Sequence, residues 1–71
     1  MKYDKNFTTE ELCAYLYYKY PMLNIYFNMF ITNHINGESF LNINNAILNE
    51  MGIKKVGHKL KILGLSRKNK N

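Results

Sequence analysis

Met51-Gly52-Ile53-Lys54-Lys55-Val56-Gly57-His58-Lys59-Leu60-Lys61-Ile62-Leu63 is the stretch on which the fold turns. Val56, Leu60 and Leu63 fall at i, i+4 and i+7. That spacing predicts a helix over about 56–65 that turns this stripe toward a core, while Lys55, Lys59 and Lys61 project into water. Gly52 suits the position just past a preceding helix, where the backbone needs a left-handed conformation that a side chain would strain. Gly57 falls in the first turn of the new helix and leaves its backbone open to close approach. Gly64, inside the pattern, disfavours the helix by about 1 kcal/mol relative to Ala and predicts that it ends early.

Upstream, the same local chemistry predicts further helices. Thr8-Thr9-Glu10-Glu11 is a capping box: the Thr8 hydroxyl accepts from the Glu11 backbone N–H, the Glu11 carboxylate reaches back, and Phe7 is placed to staple onto Leu12. The helix so begun ends near Lys19, because Pro21 disfavours helical geometry at Tyr20. Leu23, Phe27, Phe30, Ile31 and His34 form the next helical stripe, over 22–32. Asn36-Gly37 is a turn, and the absence of period-two alternation after it predicts a short helix in place of a hairpin. Asn44 then caps a helix through Met51, with Ile47, Leu48 and Met51 three to four apart.

Seventy-one residues make one domain, which at this size buries only about 60% of its extended surface. The hydrophobic fraction of 46% supplies a core, yet no apolar run approaches the roughly 20 residues of a membrane span. Residues 1–6 hold no apolar signal-peptide segment, and the single Cys13 precludes an intramolecular disulfide. Together these predict an intracellular, cytoplasmic setting. Charge is segregated: residues 1–50 hold five acids against three lysines, whereas residues 51–71 hold seven cations and no acid. A basic end of this kind predicts an acidic protein surface, nucleic acid or anionic lipid as its partner.

Catalytic patterns are missing. The sequence has no Gly-rich phosphate loop and no His-x-x-x-His pair. Glu10 and Glu11 are adjacent, about 100 degrees apart on a helix, and cannot share a substrate proton. Cys13 sits among apolar residues, as an inert buried thiol does, and His34 has no second ligand at metal spacing. Neither an enzyme nor a bound cofactor is predicted.

The order of these signals resembles a known family. Gly52-Ile53, then Val56-Gly57-His58-Lys59 and Leu60-Lys61-Ile62-Leu63, is similar to the last-helix signature of the sterile alpha motif (SAM) domain family: Leu-Gly-Ile, a short basic gap, Gly-His-Arg/Lys and an Ile-Leu pair. Phe7 stands at that family's aromatic before helix one, Leu12 and Leu16 match helix one, and Tyr26 and Phe30 match helix two. Ile35-Asn36-Gly37 with Phe40-Leu41 resembles its Ile-Asp-Gly turn, and Ile43-Asn44-Asn45 with Leu48 resembles the opening of its fourth helix. The resemblance implies an all-α, compact five-helix bundle of SAM-domain type over residues 7–66, after a flexible lead at 1–6 and before a basic polar tail at 67–71.

It also implies a binding role. SAM domains associate through a basic end-helix patch, here Lys54, Lys55, Val56, Gly57, His58 and Lys59, and a mid-loop patch that is acidic in polymer-forming members. The mid-loop positions here carry Asn36, Glu38, Asn44, Asn45, Asn49 and Glu50, so weak or no self-association is expected. The expected partner is an acidic protein surface, another SAM domain or an assembly partner of the parent protein. An RNA stem-loop on the same lysines is the alternative, with anionic lipid behind it.

Overall fold

A computed structural model of the chain describes residues 1–70, and every regular element among them is helical. The elements are α1 (Thr9–Lys19), a 3-10 segment (Pro21–Tyr26) running into α2 (Phe27–Thr32), α3 (Gly37–Phe40), α4 (Asn45–Met51) and α5 (Val56–Lys68). Their boundaries follow from the local chemistry. Thr8 closes the complete capping box on Glu11, while the Asn36 and Asn44 side chains cap α3 and α4. Gly52 ends α4 at φ 98, in the left-handed region open to glycine.

The second helix departs from the expected regular stripe. Pro21 begins a 3-10 turn, and three residues per turn bring Leu23 and Tyr26 onto one side. Phe30 follows one α-helical turn after Tyr26. Leu23, Tyr26 and Phe30 are therefore the buried residues, Phe27 is half-buried, and Ile31 and His34 face water.

α5 departs further. The expected stripe of Val56, Leu60 and Leu63 is buried only at Leu63; Val56 is 66% and Leu60 61% exposed. The inward face is Ile62, Leu65 and Ser66, flanked by Leu63, with the Ser66 hydroxyl donating to the Phe40 carbonyl at 2.8 Å inside the core. Lys59 and Lys61, expected in water, are half-buried. Nor does α5 stop at Gly64. It runs through Arg67 to Lys68, so two residues of the expected polar tail are helical. Past its end, Asn69 donates to the hydroxyl of the buried Tyr15 at 3.0 Å. Among tail residues, Asn71 lies outside the described residues.

The lead is strapped to the body. Tyr3 stacks edge-on against Phe7 and Tyr15, with ring centroids 5.3 and 5.1 Å apart, and its hydroxyl donates to the Gly37 carbonyl. Gly37 in turn donates its N–H to the Phe7 carbonyl at 2.9 Å. A Cβ on Gly37 would come within 2.7 Å of the Asp4 carbonyl oxygen and 2.8 Å of the Lys5 carbonyl oxygen. Only glycine fits beneath this strap. The Cα radius of gyration, 10.6 Å, is close to the value of about 11 Å expected for a domain of this length.

Two outcomes are expected of this packing. Ile62 is fully buried, so Ile62→Ala should cost roughly 2–5 kcal/mol in denaturant unfolding, whereas Leu60→Ala should stay within about 0.5 kcal/mol. Equal losses would show that α5 is turned the other way.

The second outcome concerns alkaline pH. Burial, helped by Tyr15 and Asp4, pushes the Tyr3 hydroxyl up to about 12 from 10.0; burial, helped by Glu10, pushes the Cys13 thiol up to about 11 from 9.0. Between those values the folded chain holds protons that the unfolded chain has released. Stability is thus intact below about pH 9 and declines as pH rises toward the folded-state values. In thermal melts across this range Tyr3→Phe should flatten the decline, and an unchanged slope would count against the strap.

Candidate functional site

The junction of α4 and α5 is built from three anchors. Gly52 turns the chain, the fully buried Ile53 pins it, and Lys54 and Lys55 then bridge to the start of α5. The N-cap of α5 is Lys55, whose side chain makes no capping hydrogen bond. A lysine cannot accept from the first-turn N–H groups, and its charge opposes the positive end of the helix dipole. α5 therefore begins with no side-chain acceptor for its first turn.

The surrounding cations are not equivalent. Lys54 Nζ donates to the Asn49 carbonyl at 2.8 Å, and Lys59 Nζ donates to Asn49 Oδ1 at 3.0 Å. Both are drawn back to the C-terminal end of α4, where positive charge suits the dipole. Lys55, Val56 and Gly57 are the exposed forward edge, and a Cβ on Gly57 would meet nothing within 4 Å. His58 is held from behind. Its Nδ1 lies 2.5 Å from the Tyr26 hydroxyl, with the rings edge-on at 5.4 Å.

The six residues expected to form the end-helix patch are consecutive and lie around the start of α5. The mid-loop residues do not act alike. Asn36 Oδ1 accepts from the Ser39 N–H and Asn44 Oδ1 from the Ile47 N–H, each at 2.9 Å, so both oxygens are engaged as caps. Asn49 is bonded to the end-helix lysines and belongs beside them. Glu38, Asn45 and Glu50 are exposed. Among the described residues no cluster of His, Cys, Asp or Glu could hold a metal ion, and no helix is long and apolar enough to cross a membrane.

Sequence reasoning gave Tyr26 no role in this site. Its signal was Pro21: a 3-10 turn opened by that proline is what swings Tyr26 inward to reach His58, 32 positions later.

The family described as SAM domain (sterile alpha motif) matches residues 22–65, more than half of the chain. The chain is a SAM domain. It is also 36% identical over 58 residues, 82% of its length, to the mitogen-activated protein kinase kinase kinase MST11 of Pyricularia oryzae. The chain spans only 6% of that relative's length. No solved structure matches. SAM domains are in general protein–protein interaction modules.

The Tyr26–His58 contact ties the 3-10 segment to the start of α5. Tyr26→Phe removes one hydroxyl and should cost about 1 kcal/mol in unfolding, with a change in the His58 ring resonances by NMR. Unchanged His58 resonances would show that the two rings are not bonded.

Proposed function

We propose that this SAM domain is an adaptor that presents Lys54, Lys55, Val56, Gly57, His58 and Lys59 to an acidic surface of a partner, either another SAM domain or an assembly partner of the protein that carries this segment. The observation that supports this reading is the start of α5 on Lys55 without a capping side chain. A partner carboxylate would accept from the first-turn N–H groups, complement the dipole and sit among the lysines. Exposed Val56 offers apolar contact, and Gly57 leaves room for a partner to approach.

The opposite half of a head-to-tail contact is weak here, because Asn36 and Asn44 serve as caps and only Glu38 and Glu50 carry charge. A heterologous chain needs both halves on each copy, so self-association is weak. The RNA stem-loop reading uses the same lysines, but phosphates would leave Val56 in water, and this favours protein. Likeness to a mitogen-activated protein kinase kinase kinase makes a cytoplasmic signalling assembly the setting we propose.

Lys54→Glu combined with Lys55→Glu tests the face. Both positions are exposed, so the circular dichroism and stability should hold to within about 0.5 kcal/mol. Binding to a SAM domain with an acidic mid-loop face should fall more than about tenfold, since like-charge contacts cost several kcal/mol. Gly57→Leu, which alters no charge, should weaken a protein partner at least about tenfold and a hairpin RNA less. Full affinity in both variants would sink the reading, and tighter binding of hairpin RNA than of the SAM domain would select the alternative. Sedimentation of the unaltered domain at micromolar concentration should show monomer or weak dimer, not long polymers.

A further inference from the structure

Away from the end-helix face, the C-terminal end of α1 and the middle of α5 enclose a shallow groove of about 410 Å³ over Leu65. Its lining is Lys19, Tyr20, Leu60, Lys61, Gly64 and Lys68, three lysines without an acid among them. Lys61 Nζ lies 5.1 Å from the Tyr20 ring centroid, and Lys19 Nζ lies 5.6 Å from that of Tyr18. Both cations are thus positioned by aromatic faces, which leave their N–H donors free for further partners. Leu60, 61% exposed, forms one rim, and beside it a Cβ on Gly64 would meet nothing within 4 Å.

We propose that this groove is a second docking surface, whose occupant is an acidic amphipathic segment of another protein. An apolar side chain of the segment covers Leu60 over the space above Gly64, and its carboxylates reach Lys19, Lys61 and Lys68. Charge complementarity selects this occupant. Two copies meeting through α5 would set lysines against lysines, since residues 51–71 hold seven cations and no acid. A phosphate ligand would satisfy the lysines but leave Leu60 in water. The volume suits one or two side chains, falling at the small end of ordinary ligand pockets.

The test is an NMR titration of the isotope-labelled chain with a synthetic acidic peptide in which glutamates flank a leucine ridge at helical spacing. Polyuridylate and phosphatidylserine vesicles are titrated in parallel. The peptide should move the amide resonances of Tyr20, Leu60, Lys61 and Gly64, and the shifts should vanish as salt approaches about 0.5 M. Leu60→Glu and Gly64→Leu alter an exposed position and an open one, so both variants should fold, and each should weaken the peptide at least about tenfold. Lys54→Glu with Lys55→Glu should leave it within about twofold. That separates this groove from the end-helix face. Peptide shifts confined to residues 54–59, or no shifts in the groove up to about 1 mM peptide, would overturn the proposal. So would tighter binding of polyuridylate or vesicles at the same resonances.

Discussion

Which way α5 is turned about its axis decides most of this structure. Two stripes compete on that helix, one through Val56 and Leu60, the other through Ile62 and Leu65, and Leu63 flanks both. Turning the first inward would also carry Gly64 toward the core, where a missing side chain leaves a void in packing that is otherwise close to crystalline density. The second stripe brings Ser66 to the Phe40 carbonyl and Asn69 to the Tyr15 hydroxyl, while His58 meets Tyr26. Each bond satisfies a buried or half-buried polar group whose isolation would cost about 1–3 kcal/mol. Exposure of Val56 and Leu60 forgoes burial worth about 1.5–3 kcal/mol each, which Ile62 and Leu65 recover on the other side.

Much of the fold could be read in advance because its signals are local. The capping box at Thr8 and Glu11, the turn at Asn36-Gly37, the cap at Asn44 and the left-handed Gly52 all depend on atoms within four residues. A sequence displays such neighbours directly. The azimuth of α5 depends instead on acceptors 26 and 54 positions away, and no periodicity reveals them. The strap at Tyr3 escaped for the same reason. Its partner is Gly37, whose glycine reads as a turn residue but is also demanded by the Asp4 and Lys5 carbonyls above it. In the candidate site, the family resemblance pointed to six consecutive residues at the start of α5, but it could not separate forward-facing Lys55 from Lys54 and Lys59, which Asn49 draws back.

The same rotation creates the surfaces available for binding. A small domain has too little interior to bury every apolar residue, and single exposed leucines are ordinary. Here the exposed Val56 and Leu60 stand in a field of cations at the only strongly basic end of the chain. Aliphatic surface framed by lysines discriminates among partners: a purely anionic ligand gains the charges alone, and a purely apolar one loses against desolvated ammonium groups. An acidic surface with its own apolar contacts gains both.

Gly64 sharpens this argument. In the exposed middle of a helix, glycine disfavours the helix by about 1 kcal/mol relative to alanine, a sizeable fraction of the stability of so small a domain. No packing neighbour requires the space: among the described residues, its chain neighbours and its own helix backbone aside, nothing lies within 4 Å of where its Cβ would be. Gly37 is the contrast, a glycine whose absent Cβ is explained wholly by the backbone above it. When a residue weakens its own helix and no intramolecular contact offsets the loss, the offset is to be sought outside the chain. The floor that Gly64 leaves between Leu60 and Lys68 is the space that the proposed acidic segment would fill with a side chain of its own.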